Sequence, residues 1–211
     1  MKRRIIAVFL FVFVLSGCAG VAIHDDLKVP VGTVEGNQFT GIRYPFKITT
    51  PSHWKMATEF PEFLKGLGYD EPGPSDKEVT ELYIFNPATQ SSIQIDLTPA
   101  SPKAKFSQEK FEALVTAATG GFKKELEEEH GKGIEMSVGP TEHVKLKGVQ
   151  FAAKKYETYT IKGVKREQGW IYGFTEPYQL FILYMVLEKE GSKDREDMKK
   201  ILDSFEVFSK K

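Results

Sequence analysis

The stretch Tyr178–Leu187 most narrows what this chain can fold into. Leu180, Ile182, Tyr184 and Val186 alternate with Phe181, Leu183, Met185 and Leu187, so a strand here is apolar on both faces. Such a strand needs cover on both sides and belongs in the middle of a sheet, not at its rim. The connections ahead of it are short. Gly163 separates a long run, Val149 to Ile161, from a second at Arg166–Thr175, and Glu176-Pro177 separates that from Tyr178. Connections of this length join antiparallel neighbours, because a parallel return needs a crossover of a dozen or more residues. In the middle run Trp170, Tyr172 and Phe174 share a face.

Upstream, Ile42, Tyr44, Phe46 and Ile48 alternate with Arg43, Lys47 and Thr49, which predicts a strand. Pro45 has no amide donor, so that strand is expected at an edge or with a bulge. Trp54 follows a Pro51-Ser52 turn, leads a second short strand toward Met56, and is expected to be a buried anchor. Leu82–Phe85 and Ile93–Leu97 flank the turn-rich Asn86–Gln90 and read as a hairpin. A helix follows, with Ser107 as its N-cap and Phe106 stapled onto Phe111. Its apolar stripe runs through Leu114, Val115, Ala118 and Phe122 to Leu126, weakened at Gly120-Gly121 and ending near Gly131. Ile134, Met136 and Val138, then Val144 and Leu146, begin further strands. Ser192 caps a last helix that turns Met198, Ile201, Leu202 and Phe205 inward. The expectation is an α+β domain, an antiparallel sheet covered by helices on both faces.

The first residues carry a different message. Lys2, Arg3 and Arg4 precede an apolar run from Ile5 to Leu15, too short for a membrane-spanning helix of roughly 20 residues. Leu15-Ser16-Gly17-Cys18 resembles, at all four positions, the lipobox of bacterial lipoprotein signal peptides. That resemblance implies a signal peptide over 1–17, cleavage before Cys18, and acyl chains on Cys18 that hold the protein to a membrane. Ala19 next to the cysteine points, by the same resemblance, to the periplasmic face of an outer membrane, because Asp there favours inner-membrane retention. Residues 18–40 carry Asp25, Asp26, Pro30, Gly32 and Gly36 without clear period and read as the lipidated cysteine with a flexible tether. The folded domain is expected over 41–211.

Removing residues 1–17 from 211 leaves 194, enough for one domain with a sizeable core. Losing Lys2, Arg3 and Arg4 from 29 basic residues leaves 26 against 29 acidic ones, a net −3. That balance offers no basic footprint for nucleic acid. Cys18 is the only cysteine, so stability must come from the core and not from a disulfide within the chain. A mean hydropathy of −0.31 suits a soluble body.

The order of landmarks, a Tyr44-Pro45-Phe46-Lys47-Ile48 strand, Pro51-x-x-Trp54, a central helix, a long antiparallel meander and a closing helix ending in Ser204-Phe205, resembles the PsbP-like superfamily. That superfamily includes bacterial DcrB-type lipoproteins and the extrinsic PsbP subunit of photosystem II. The resemblance covers roughly residues 40–208 and implies a PsbP-like layered sandwich and a binding or accessory role. It brings no active site with it.

The residues themselves show no Gly-x-Ser-x-Gly elbow, His-Glu-x-x-His, phosphate loop or dinucleotide fingerprint. No enzyme activity, cofactor or metal is therefore expected. His24-Asp25-Asp26 and the Glu127/His130 pair lack a built geometry for a metal. His53, in a turn before Trp54, and His143, at the start of a strand, could each act as a general base, but an exposed or packed imidazole is the commoner case. Residues 61–79, rich in glycine and proline after at most one helical turn at 62–67, are either a binding surface or a mobile insertion. Phe63, Leu64, Leu67 and Tyr69 are the candidate apolar anchors for an envelope protein partner. A second reading is a carrier of a small or lipidic ligand, walled by the aromatics of Trp170–Phe174 and Tyr178–Tyr184.

Overall fold

The computed structural model describes residues 29–66, 80–189 and 192–208. The chain runs β1 (Gly32–Glu35), β2 (Gln38–Gly41), β3 (Phe46–Thr49), β4 (Lys55–Ala57), α1 (Glu62–Gly66), β5 (Thr80–Phe85) and β6 (Ser92–Pro99). It continues through α2 (Gln108–Thr119), α3 (Phe122–His130), β7 (Met136–Val138), β8 (Glu142–His143) and β9 (Phe151–Ile161). Then come β10 (Val164–Thr175), β11 (Tyr178–Glu188), α4 (Asp194–Asp203) and β12 (Glu206–Val207). The large sheet has the order β4-β5-β6-β11-β10-β9-β7, with β8 also on β9, and all its pairings are antiparallel. A small sheet has the order β1-β2-β3-β12. The fold is α+β and antiparallel, with helices on both faces of the main sheet.

The two-sided strand β11 lies in the middle, between β6 and β10. Its even residues Leu180, Ile182, Tyr184 and Val186 join one core with Ile93, Ile95, Ile171, Trp54 and the α4 side chains Met198 and Ile201. Phe181 and Leu183 face the other core, where Phe111, Val115, Phe122 and Leu126 of the helical layer meet Ala153, Tyr159, Trp170 and Tyr172. Burying an aromatic or aliphatic side chain contributes about 1.5–3 kcal/mol, so the two layers together hold the sheet. Gly169 leaves room for a ring: it sits opposite Tyr184 across β10 and β11, and a Cβ there would collide with the Tyr184 phenol.

Three expectations need correction. The segment 29–40 is not tether throughout, because β1 and β2 form a hairpin and Phe39 is fully buried. Its two-residue Gly36-Asn37 turn, with Gly36 at φ +58°, is the kind that closes a hairpin. The body therefore begins ahead of residue 41. Second, the alternating strand shrinks to β3, since residues 42–45 bend away. Ile42 is exposed and Arg43 buried, the reverse of the alternation. Third, the long helix is two, α2 and α3, parted at Gly120-Gly121 where helix propensity is lowest. On its side of the main sheet α4 is joined by the small sheet, whose Phe46 stacks on Phe205 at 5.5 Å. The α2 cap is as expected. Ser107 accepts from the Lys110 amide, and Phe106 stacks on Phe111. At α4 the N-cap position is Lys193, while Ser192 Oγ accepts from the Asp194 amide.

Candidate functional site

A polar cluster sits where α4 begins. Asp194 and Asp197, one turn apart on the inner side of α4, are both buried. Asn86 Nδ2 donates to Asp194 Oδ1 at 2.9 Å, and Ser91 Oγ donates to Asp194 Oδ2 at 2.6 Å. Ser91 Oγ in turn accepts from the Leu187 amide at 3.0 Å, which ties the β5–β6 turn to β11 and α4 together. His53 Nε2 lies 3.0 Å from Asp197 Oδ2, and Lys200 Nζ 3.1 Å from Asp197 Oδ1. The position helps: a helix N-terminus favours negative charge.

His53, Asp194 and Asp197 bring three potential ligand atoms within 4.8 Å of one another, so they are the residues that could hold a cation. Their oxygens, however, already accept hydrogen bonds or ion pairs from Asn86, Ser91, His53 and Lys200. The arrangement is satisfied by the protein itself and does the work of joining turn, strand and helix. His53 is exposed over about half of its side chain while its Nε2 pairs with Asp197. His143 lies on β8, exposed, opposite Ala153.

A second network lies on the same side of the sheet. Tyr184 Oη donates to Glu167 Oε1 at 3.0 Å, and Arg195 from α4 donates to both Glu167 and Glu188. Burial, and then the Glu167 charge, push the Tyr184 hydroxyl far above its ordinary range, so it stays a donor. Glu157 stands apart from both networks. It is 2 % exposed, on β9 opposite Gln168, and burial raises its carboxyl to about 7 against an opposing pull from Lys155.

The anchors expected near 61–79 divide. Phe63, half-buried, packs its ring on Phe85 of β5 at 4.7 Å, and Leu64 is buried. Leu67 and Tyr69 lie outside the described residues, as do Cys18 and the whole signal segment. The aromatics proposed as a ligand wall contact protein rings. Trp170 meets Phe122 at 5.1 Å, Tyr172 meets Phe181 at 4.8 Å, Phe174 meets Phe106 at 4.2 Å and Tyr178 meets Tyr44 at 4.9 Å. An open depression of about 570 Å³ lies elsewhere, between Glu112, Thr116 and Thr141. Among the described residues no helix is long and apolar enough to cross a membrane.

Sequence reading missed both networks because their members are far apart in the chain. Glu157 carried a signal, since it shares the inward register of Tyr159 and Ile161.

No family model matches the chain, and no curated protein matches it. Among solved structures it is similar to the cyanobacterial PsbP, CyanoP, of Synechocystis sp. PCC 6803, at 10% identity and a TM-score of 0.48, over 92% of this chain and 99% of that one. It is also similar to LpqN of Mycobacterium tuberculosis, a protein involved in cell envelope biogenesis, at 14% identity and 0.48, over 83% and 87%. A third is a protein of Bacteroides thetaiotaomicron VPI-5482, at 12% identity and 0.47, over 84% of this chain but only 50% of that one, so this chain spans half of it.

Proposed function

We propose that this chain is a lipid-anchored cell-envelope protein that acts by binding and not by catalysis, as an accessory module to an envelope protein on the periplasmic face of an outer membrane. The observation that carries the reading is Leu15-Ser16-Gly17-Cys18 after a basic and apolar lead. Thirteen residues separate Cys18 from Gly32, where β1 begins. Fully extended they reach about 50 Å at most, so the anchor keeps the body close to the membrane. Three of the four exposed large apolar side chains among the described residues, Val29, Val34 and Ile42, lie at this end of the body. They supply contact surface where the anchor would present it. The carrier reading has no observation in its favour, since its aromatic wall is packed against protein.

Metabolic labelling with a fatty-acid analogue tests the anchor: label should enter the wild-type chain and be lost in Cys18→Ala. Equal labelling of both overturns it. A photoreactive residue at Val34 or Ile42 in intact cells tests the binding role. A discrete adduct with one envelope protein supports it, and adducts with lipid alone, or none, overturn it.

A further inference from the structure

Glu157 is a carboxylate withdrawn from solvent on the strand that the helical layer covers. Its Oε2 has no hydrogen-bond partner among the described residues, whereas the oxygens of Asp194 are both engaged. Register places it on the face of Ala153, Tyr159 and Ile161, which is the face that α2 and α3 cover. The helical layer is pinned on either side of it. Gln108 Nε2 donates to the Ala152 carbonyl at 3.0 Å, and the Phe122 ring meets Tyr159 edge-on at 5.5 Å. Glu157 lies between these two pins along β9.

Among the described residues none of the groups facing it makes an ion pair with it, although Lys155 offsets part of the effect of burial. Across the sheet stand Gln168 on β10 and Val138 on β7. On its own strand Lys155 and Tyr159 share its face. Arg166 lies diagonally on β10, with a buried Nε that also has no partner. The sheet-facing residues of α2 are Phe111, Val115 and Thr119, and those of α3 are Phe122 and Leu126, with Glu112 and Glu125 half-buried at the flanks. On β8, His143 faces the same side but is opposite Ala153. An ionised carboxylate without a partner is costly in such a place.

The covering layer is not one continuous helix. It is broken at Gly120-Gly121, and a Cβ at either glycine would meet nothing from the sheet. We propose that Glu157 is a proton-dependent latch beneath the α2–α3 layer. Protonated, it lets the layer lie closed on β9 and β10; once its proton passes to water, the layer opens locally to hydrate the carboxylate. Opening would uncover Trp170 and Tyr172, which belong to the core under that layer.

Native-state amide hydrogen exchange on the full chain tests this, with intrinsic rates corrected for pH. Amides of α2 and α3 should exchange through an opening that depends only weakly on denaturant, separate from the global unfolding reported by β5 and β6. Its equilibrium constant should rise roughly 10- to 30-fold between about pH 5.5 and about pH 8. In Glu157→Gln that opening should no longer depend on pH. The proposal is overturned if α2 and α3 exchange only through global unfolding, if the pH-dependent opening is confined to β7, or if the Gln variant keeps the dependence. Carbon-13 titration of the Glu157 carboxyl in the unmodified chain is independent of how the variant folds. A midpoint near 7 with α2–α3 amide shifts following it supports the latch, and an ordinary carboxylate midpoint overturns it.

Discussion

The Arg43 guanidinium donates to Glu81 Oε1 at 3.0 Å, with both side chains withdrawn from solvent. Arg43 precedes β3 of the small sheet and Glu81 lies in β5 of the large one, so the pair is a fastening between the two sheets. Its Nε also donates to the Val29 carbonyl, which holds the start of the described chain against the body. Removing one partner of a buried pair leaves the other charge without compensation. Arg43→Ala should therefore cost about 3–5 kcal/mol, while the double variant Arg43→Met, Glu81→Leu should recover most of that loss. Urea denaturation of the three proteins checks it; a double variant no more stable than Arg43→Ala would show that the pair is not a unit.

The Glu157 carboxyl gives the stability a defined pH slope. Its folded value, about 7, lies above its ordinary value of 4.5 because burial disfavours the charge. The folded state thus holds a proton that the unfolded state has lost, and stability falls as pH rises from about 4.5 to about 7, then levels off. Glu157→Gln should remove this slope and gain up to about 3 kcal/mol at pH 8, with little change at pH 4. Thermal melts of both proteins across that range measure it. A variant less stable than wild type at pH 8 would contradict the account.

Trp54 is 2 % exposed and joins the core that α4 and β11 share, yet its Nε1 has no hydrogen-bond partner among the described residues. Trp54→Ala should cost about 3–5 kcal/mol through the cavity it leaves. Trp54→Phe keeps a ring and removes the unpaired donor, so it should cost less than half as much. Chemical denaturation followed by far-ultraviolet circular dichroism compares them, and equal losses would place a partner on that indole nitrogen.

Much of the main sheet was legible because its signals are local. The two-sided apolar pattern of Leu180–Leu187 placed β11 in the middle, and Ser107 with Phe106 marked the start of α2. The β1–β2 hairpin escaped notice because Val34 is exposed and Phe39 is the one fully buried side chain in it, so no alternation stands out. The turn at Gly36-Asn37 was the available clue. Arg43 reversed the pattern around it because its charge found Glu81, 38 residues away. The polar cluster at α4 joins positions 53, 86, 91, 194 and 197, and no spacing along the chain records such a meeting. Glu157 is intermediate: its register was readable, but whether an inward carboxylate has a partner depends on strands that precede and follow it.

Asp194 carries the last prediction. It accepts from Asn86 and Ser91 while Ser91 accepts from the Leu187 amide, so one carboxylate orders a turn, a strand and the first turn of α4. Asp194→Ala would leave two buried donors without their acceptor and remove a negative charge from a helix N-terminus. The loss should be about 3 kcal/mol or more. Asp194→Asn keeps the shape but turns an amide donor toward one of the two donors, so it too should destabilise, by less than Ala. Ser91→Ala should be strongly non-additive with either, because it removes a member of the same network. Double-mutant cycles by urea denaturation give the coupling, and a value near zero would show that the cluster is a set of independent bonds. Chelator added to the wild-type protein should leave its Tm unchanged if, as the hydrogen bonds indicate, His53, Asp194 and Asp197 are held by protein groups alone. A fall in Tm on chelation, reversed by a divalent cation, would instead make the cluster a metal site.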